Sequence, residues 1–299
     1  MLSTPNFQAR SRALEWEFNE VCIVGLGLIG GSFALNLKLR GFPGKITAID
    51  INPEAIEKGI ELEIIDGGSL KHSIAETADL IVLATPVGVY EAVLNQLKPY
   101  LKNAVVTDLG SVKGDLVYKC EEILEGVAPF VGGHPIAGTE KSGVEHSVEN
   151  LFERAKFIIT PTERTDRRAK EKIKKLWEAL GSEVIEMEPH HHDRVFAAVS
   201  HLPHVVAYSI VDAIGKLSGD VGENLFEFTG GGFRDFTRIA MSDPIMWRDI
   251  CIANRENLLF SIKRFKEALT QVERLIEEGD KEGLKEFFQK AKEKRSLMK

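Results

Sequence analysis

A histidine after a short apolar run is the first residue of this chain that suggests chemistry. His134 follows Phe130-Val131 and Gly132-Gly133, and Pro135 stiffens the turn behind it. Histidine accepts or releases a proton near neutral pH, because its ordinary pKa is about 6.5. A packed loop histidine is the alternative interpretation. We expect His134 to lie at a strand end and to be able to hold a proton there.

Ser111 and Arg238 are the next candidates. Ser111 comes shortly after the apolar run that ends in Asp108, and its hydroxyl can hold a polar group of a ligand. Its competing interpretation is an N-cap for a helix that starts near Val112. A guanidinium such as that of Arg238 can bind a carboxylate through two parallel hydrogen bonds, although an exposed ion-pairing arginine is the alternative.

A glycine-rich turn follows the apolar run 21–24. Gly25 allows the tight turn, Gly27 lets backbone amides approach a pyrophosphate, and Gly30 lets the next helix pack closely. A second apolar run, 46–49, ends in Asp50, where an acid would bind a ribose 2′-hydroxyl and repel a 2′-phosphate. A glycine turn of another α/β protein is the alternative. The pattern predicts an NAD site, and its turn also includes Leu26, Leu28 and Ile29.

The apolar runs that position these residues alternate with helical patterns from residue 20 to residue 188. They predict one doubly wound sheet of the Rossmann type, an α/β fold in which ligands bind beyond the carboxyl ends of the strands. Thr85, Pro86 and Asp108 stand at such ends, and we include them among the cofactor-binding candidates. The predicted strands are 21–24, 46–49, 80–84, 104–108, 130–131, 157–160 and 184–187.

The pattern becomes helical after Pro189, which predicts three parts: an N-terminal extension 1–19, an NAD-binding domain 20–188 and a helical domain 189–299. Asp193 could cap a helix that Pro203 kinks and Gly215 ends. A second helix could run from Pro244 to residue 279, about 50 Å at 1.5 Å per residue. Its apolar positions repeat every three or four residues. This spacing predicts a homodimer contact, with an intrachain partner as the alternative.

Composition narrows the function classes further. The chain has 299 residues, 43% of them hydrophobic, and a formal net charge of −7 without a dense basic run, so we do not expect it to bind nucleic acid. Its 3 cysteines are widely spaced and predict reduced thiols. Residues 1–20 contain no apolar stretch of a signal peptide or membrane span. We therefore expect a cytoplasmic protein that does not bind a membrane.

Two histidine groups could suggest a metal, and we predict none. His201 and His204 are three residues apart, but no carboxylate or thiol stands at ligand spacing beside them. The run His190-His191-His192-Asp193 is better interpreted as the start of a helix.

Taken together, the motifs resemble the prephenate dehydrogenase family along nearly the whole chain and in the family's order. The resemblance implies an enzyme that oxidises the ring alcohol of prephenate with NAD, with loss of carbon dioxide, to give 4-hydroxyphenylpyruvate in tyrosine biosynthesis. It also implies a helical dimerisation domain and possible feedback inhibition by tyrosine. The segments that carry it are 25–32, 85–87, 108–113, 133–138, 200–204 and 233–240.

The resemblance assigns roles to individual residues. His134 would hold the hydroxyl proton, with Ser111 helping to place the ring hydroxyl, and Arg238 would bind a substrate carboxylate. Ser200 and His204 would contact the substrate from one side of a helix, although a buried structural histidine is the alternative for His204. The remaining substrate-binding candidates are Glu140 and Asp235, as a charge gate with Arg238, and Trp247.

Three other functions stay open at this point. The substrate could be arogenate, or both compounds in a dual cyclohexadienyl dehydrogenase. A non-catalytic NAD-binding regulatory protein could keep the same fold, because a fold alone does not establish function. A hydroxy acid or imine dehydrogenase would need a catalytic lysine or acid, and Lys113 is the candidate for it.

Overall fold

The computed structural model describes residues 15–298, so residues 1–14 of the predicted N-terminal extension lie outside the described part. A parallel sheet of six strands forms its first half, in the order β3-β2-β1-β4-β5-β6. This order is that of a Rossmann sheet, with the chain reversal between β1 and β4. The strands are β1 (Glu20–Val24), β2 (Lys45–Ile49), β3 (Gly67–Ser69), β4 (Leu80–Leu83), β5 (Val105–Asp108) and β6 (Phe130–Val131).

Helices cover both faces of this sheet and confirm the doubly wound prediction. Two apolar clusters result, one on each face, and both contain side chains of the central strands β1 and β4. Asn52 caps the second helix by accepting the Glu54 N–H, with Pro53 in the first turn, as the sequence predicts. The helices are α1 (Leu28–Leu39), α2 (Pro53–Glu61), α3 (Tyr90–Leu97), α4 (Gly114–Leu124) and α5 (Arg167–Ala179).

The prediction of a single sheet is wrong. The last three strands, β7 (Gly133–Pro135), β8 (Lys156–Ile159) and β9 (Glu183–Glu186), form a second sheet in the order β7-β8-β9. The chain changes sheets at Gly132 and Gly133. A Cβ at Gly132 would lie 2.5 Å from Thr160 Oγ1, and one at Gly133 would collide with the Phe157 ring. The antiparallel pairing of β7 with β8 then fixes His134 opposite Ile158.

The second half of the chain is helical, as predicted. Glu188 caps its first helix by accepting the N–H groups of His190 and His191, so this histidine run does begin a helix, with Asp193 inside it. The helices are α6 (Pro189–Phe196), α7 (Leu202–Val221), α8 (Gly231–Thr237), α9 (Pro244–Ala253), α10 (Arg255–Glu277) and α11 (Lys281–Ser296).

A π-helical turn, Ala197–His201, joins α6 to α7. The sequence predicted a proline kink here, and the wider turn has that cause, because Pro203 donates no N–H and its ring crowds the carbonyl four residues earlier. The predicted end at Gly215 is wrong, since α7 continues to Val221. Gly222 ends it in the left-handed conformation, with φ of 74°.

The long helix predicted from Pro244 to residue 279 is divided at Asn254. Its backbone there departs from helical angles, with φ of −107° and ψ of 33°, which separates α9 from α10. The Asn254 amide nitrogen lies 2.8 Å from the Asp193 carbonyl oxygen and 3.1 Å from His201 Nδ1. These contacts with the α6–α7 connection hold Asn254 at the break, and a spacing rule does not include them.

The helical half leaves much apolar surface exposed. Phe228, Phe260 and Ile276 are each at least 60% exposed in the single chain. Within the described residues, one helical stretch, 189–221, is long and apolar enough to cross a membrane by length and composition, and only 22% of its apolar window is buried. Such a face needs a cover of some kind.

Candidate active site

The turn after β1 has the form of a pyrophosphate cradle. Gly25 has φ of 97°, and a Cβ on it would lie 2.8 Å from the Ala84 carbonyl, so the turn tolerates no side chain there. A Cβ at Gly30 would collide with the Gly25 carbonyl oxygen, whereas the position beyond Gly27 is open. No side chain caps the N-terminus of α1. Its first amides therefore have no side-chain acceptor among the described residues, as binding of a phosphate requires.

Asp50 stands at the carboxyl end of β2, beside the same turn. Its Oδ2 accepts the Leu26 N–H at 2.6 Å, and its Oδ1 accepts the Asn52 N–H at 2.8 Å. These bonds fix the carboxylate at the place where a ribose hydroxyl would reach it. The neighbouring Ile51 side chain is 98% exposed and offers an apolar surface next to Asp50.

Thr85 follows β4 at the opposite side of the turn. Its hydroxyl oxygen is buried without a hydrogen-bond partner among the described residues. A buried hydroxyl of this kind is costly unless a ligand or water completes it. The exposed Pro86 continues the chain into a short 3-10 turn. With the open α1 terminus and Asp50, this unpaired hydroxyl makes the crevice fit a dinucleotide.

Asp108 lies beneath this crevice rather than in it. Its carboxylate pairs with Lys113 Nζ and accepts the Tyr90 hydroxyl at 3.0 Å and the Gly110 and Gly133 N–H groups at 2.9 Å each. Both residues of the ion pair are buried. The prediction that Asp108 binds the cofactor directly therefore does not fit the structure, because its oxygens are occupied by the chain. It instead fixes the bend that leads to His134.

His134 is buried on β7, and its ring has one partner. Its Nδ1 lies 2.8 Å from Nε2 of His192, while the structure gives Nε2 of His134 no partner in the described chain. The Phe196 ring packs edge-on against it, with centroids 4.9 Å apart. Burial, then the neighbouring His192, Lys113 and His201, lower the pKa of His134 well below its ordinary value. The imidazole is therefore neutral at pH 7.

Ser111 lies in the loop between β5 and α4. The helix begins at Gly114 with Lys113 as its N-cap residue, so the alternative of Ser111 as the cap is wrong. Its hydroxyl makes no hydrogen bond in the described chain, and the residue is half-buried. His201 is buried nearby. Burial lowers the pKa of His201 to about 4, and Asp193, then the Ser111 backbone, partly oppose that shift.

His204 and Trp247 form the helical side of the site. Their rings stack with centroids 3.6 Å apart, and Trp247 is buried with its indole nitrogen unpaired among the described residues. His204 Nδ1 lies 3.0 Å from the Ser200 carbonyl oxygen and therefore donates to it, which leaves Nε2 as an acceptor. Burial lowers the pKa of His204, so this ring too is neutral at pH 7.

Arg238 begins the 3-10 turn after α8 and forms an ion pair with Glu140 through Nη1. Glu140 stands six residues after His134, so this pair brings Arg238 to the loop that leaves β7. A backbone N–H and Arg238 lower the pKa of the Glu140 carboxyl. Asp235 is exposed and forms no ion pair within the described residues. The predicted three-residue charge gate is therefore a pair.

The remaining polar side chains of the described residues form neither a metal site nor a disulfide. Residues 15–298 contain no cluster of three or more histidine, cysteine, aspartate or glutamate side chains placed to hold a metal ion. The cysteines are free, and burial raises the pKa of the Cys22 thiol to about 11.

Three residues of the site escaped the sequence analysis. Ile51 was not among the predicted site residues, and His192 and Asp193 were noted only as part of a helix start. Apolar character next to Asp50 could have indicated Ile51. Nothing local could have indicated His192, because its contact with His134 joins residues 58 positions apart.

Comparisons with known proteins agree along the chain. Residues 33–186 match the family model of the prephenate dehydrogenase nucleotide-binding domain, and residues 188–290 match that of the prephenate dehydrogenase dimerization domain. The chain is 39% identical over 287 residues to a prephenate dehydrogenase of Bacillus subtilis, covering 92% of this chain and 75% of that protein.

Solved structures are similar over the same span. A prephenate dehydrogenase from A. aeolicus, in complex with hydroxyphenyl propionate and NAD+, has a TM-score of 0.88 and 47% identity, covering 94% of this chain and 98% of that one. An arogenate dehydrogenase from Synechocystis has a TM-score of 0.74 and 32% identity, covering 93% of this chain and 99% of that one.

Proposed function

The chain belongs to the prephenate dehydrogenase family, and we propose on that premise that it oxidises and decarboxylates prephenate to 4-hydroxyphenylpyruvate, with NAD as the hydride acceptor. The observation that carries this proposal is that the neutral imidazole of His134 and the guanidinium of Arg238 lie at the same loop. His134 starts that loop, and Glu140 holds Arg238 against it. A proton acceptor and a carboxylate binder are the two groups that an anionic cyclohexadienol needs.

Bound NAD supplies the hydride acceptor, and Gly27, the α1 amides, Asp50 and Thr85 would hold it. His134 takes the ring hydroxyl proton on Nε2 as the carbinol carbon is oxidised. The electron pair of the bond to the departing carbon dioxide enters the ring and makes it aromatic. The proton on His134 then returns to the phenol oxygen, so the reaction releases no net proton.

Ser111 and Arg238 orient the substrate in this proposal. The free Ser111 hydroxyl donates to the ring oxygen and keeps it beside His134. Arg238 exchanges its contact with Glu140 for a substrate carboxylate, which fits a guanidinium through two parallel hydrogen bonds. His204 and Trp247 shape the pocket from the other side, with Ser200 fixing the His204 ring through its carbonyl.

The same proposal covers the oligomeric state, the domain boundary, the cellular location and inhibition by tyrosine. The chain contains a dimerisation domain, and we infer a homodimer in which a second copy covers the exposed apolar helices. The division between the NAD-binding and helical domains falls at residues 188 and 189. The protein is soluble, and we place it in the cytoplasm. Tyrosine, which shares the ring and a carboxylate with the product, would inhibit by competing with prephenate.

Steady-state NADH formation tests the proposal. Purified protein is assayed by absorbance at 340 nm with prephenate and with arogenate, each with NAD and NADP, and the organic product is identified by mass spectrometry. We expect turnover with prephenate and NAD, and competitive inhibition by added tyrosine. Arogenate as the better substrate would replace prephenate in the proposal. No turnover with either compound, with NAD binding intact, would favour the non-catalytic alternative.

A further inference from the structure

Two residues of α6 stand directly behind His134 and have no assigned role. His192 Nε2 lies 2.8 Å from His134 Nδ1, and His192 Nδ1 lies 2.8 Å from Asp193 Oδ1. All three side chains are buried, with His192 fully excluded from solvent. The three groups form one hydrogen-bonded chain inside the protein.

The direction of the hydrogen bonds in this chain is fixed by Asp193. A carboxylate only accepts, so His192 Nδ1 carries a hydrogen and donates it. The neutral His192 ring then accepts at Nε2, and His134 must donate from Nδ1. The remaining nitrogen of His134, Nε2, is left with its lone pair free. This tautomer is the one that a proton acceptor needs.

Asp193 is itself held in place from the other side. Its Oδ1 also accepts the Lys113 N–H at 2.8 Å, at the N-terminus of α4. Gly114 leaves room for it, since a Cβ there would lie 2.5 Å from Asp193 Oδ2. The Asn254 amide binds the Asp193 carbonyl at 2.8 Å. Asp193, on α6, is therefore fixed by the start of α4 and by the break between α9 and α10.

The His192 ring is fixed by packing. Phe196, one helical turn later, lies against both imidazoles, with centroids 4.4 Å from His192 and 4.9 Å from His134. The other ionisable groups that act on the two rings are Lys113 and Asp108, at the start of α4 and the end of β5, and His201 on the π-helical turn. Lys113 and Asp108 are paired with each other. Asp193 is therefore the anion that contacts the histidine pair directly.

We propose that His192 and Asp193 are a positioning relay for His134. The relay keeps the lone pair of His134 Nε2 free and directed towards the substrate, and it stabilises the positive charge of His134 once Nε2 is protonated. When His134 gains a proton at Nε2, its Nδ1 hydrogen bond to His192 strengthens. The proton at Nδ1 can then pass to His192 Nε2, which makes His192 an imidazolium whose Nδ1–H donates to Asp193 Oδ1. No atom is lost, and the proton returns by the same path.

The relay solves a problem that burial creates. A histidine in a dry site is a weak base, because the charged form is poorly solvated there. A carboxylate reached through a second ring restores basicity without an anion next to the dianionic substrate. The inference rests on the proposed function for its catalytic meaning, but the tautomer itself does not depend on any substrate.

Three variants test the relay at its two members. His192→Phe removes the acceptor, and we expect kcat to fall about 10²-fold or more, as when a histidine base loses its orienting partner. His192→Gln keeps an acceptor for His134 but cannot take a proton, so we expect it to recover part of that loss. Asp193→Asn keeps the shape and removes the charge, with an expected fall of about 10-fold to 10²-fold. KM for both substrates should stay within about twofold in all three.

The pH profile separates this role from a structural one. Loss of the Asp193 charge makes His134 less basic, so the acid limb of kcat/KM should move to lower pH in Asp193→Asn. The matched controls are His191→Phe and His191→Gln, because His191 stands on the same helical turn with its side chain exposed. They should leave kcat and the limb unchanged. A limb that stays in place in Asp193→Asn would overturn the proposal.

Nitrogen-15 NMR of histidine-labelled protein provides a readout without substrate. His134, assigned by the loss of its signals in His134→Asn, should be protonated at Nδ1 in the wild type and change towards Nε2 in His192→Phe. A wild-type Nε2–H tautomer would overturn the relay even if prephenate is turned over. If prephenate is not turned over, the tautomer still decides the relay. If His192→Phe does not fold, Asp193→Asn decides the relay through the pH limb.

Discussion

The sheet half and the helical half of the chain bury their apolar side chains very differently. The strands and α1 to α5 enclose two clusters whose members, such as Phe33 and Trp177, are fully buried. Beyond α6, buried apolar residues are few, and large side chains such as Phe228, at 70% exposure, face outward. The first half is stabilised by its own core, whereas the second half needs a further surface to complete it.

This difference also divides the work of the site. His134 and Asp50 are fixed by the sheet half, where packing and hydrogen bonds leave these side chains little conformational freedom. Arg238 and Glu140 belong to an exposed ion pair, with the Arg238 side chain 55% exposed. The chemistry therefore depends on the rigid half, and the hold on the substrate depends on groups that must exchange partners. Changes in the two halves should accordingly alter different kinetic constants.

The largest effect on kcat should come from His134, in the sheet half. His134→Asn should lower kcat by roughly 10² to 10⁴ with little change in KM, because the proton acceptor acts mainly in the transition state. The control is His146→Asn, on an exposed turn. A variant with more than half of the parent kcat would end the assignment.

The pH profile of the parent enzyme belongs to the same prediction. Since burial lowers the pKa of His134, the base stays neutral and active below pH 6.5, and activity is lost only as the pH falls through the lower value. Sequence alone would place this acid limb near 6.5. A measured limb above 6.5 would contradict the buried environment.

The same substitution in the two halves tests the comparison itself. Phe33→Ala, at 0% exposure, should lower the free energy of unfolding by about 3–5 kcal/mol and leave the association of the proposed dimer unchanged. Phe260→Ala, at 61% exposure, should instead weaken dimer association. Urea unfolding and sedimentation velocity measure the two quantities. Equal losses of unfolding free energy, with unchanged association, would show that the helical half is stabilised like the sheet half.

Arg238, in the helical half, should affect substrate binding rather than the chemical step. Arg238→Gln should raise KM for prephenate about 30- to 1000-fold, which corresponds to roughly 2–4 kcal/mol, and leave KM for NAD nearly unchanged. Arg238→Lys should recover part of the loss, since it restores charge without the planar fork. Arg264→Gln, an exposed ion-pair variant on α10, is the control. An unchanged KM in Arg238→Gln would make Arg238 structural.

The smallest effect concerns cofactor choice in the sheet half. Asp50 should favour NAD over NADP by at least about tenfold, or about 1.4 kcal/mol, because its carboxylate repels a 2′-phosphate. Asp50→Ser combined with Ile51→Arg should reverse the order, since Ile51 lies exposed beside the ribose position. The ratio of kcat/KM for the two cofactors measures it. An equal ratio in the parent enzyme would refute the prediction.

Local patterns predicted what local physics determines. The strand of Val24, the turn at Gly25 and the cap at Asn52 each depend on neighbours in the chain, and the structure has them as expected. The second sheet and the break at Asn254 depend on contacts between distant segments. Spacing in one segment contains no information about Phe157 or the Asp193 carbonyl, so both were predicted wrongly.

The site divides in the same way. Residue types identified His134, Ser111 and Arg238 as groups able to do chemistry, and the structure brings His134 and Arg238 to one loop. The same reasoning put Asp108 at the cofactor, because it stands at a strand end. Four donors from the chain occupy that carboxylate, and their convergence is a property of the packed structure.

The π-helical turn Ala197–His201 has a consequence for how this helix can vary. Each residue of an α-helix advances the side chains by about 100°, so one added residue rotates everything beyond it by that angle. His192 and Asp193 lie before the turn, and Ser200 and His204 lie within or after it. Deletion of one residue, such as Val199, would leave both pairs of residues in a helix. It would rotate Ser200 and His204 by about 100° around the helix axis relative to His192 and Asp193. Residues between these groups can therefore be substituted, whereas the number of residues between 193 and 204 cannot change.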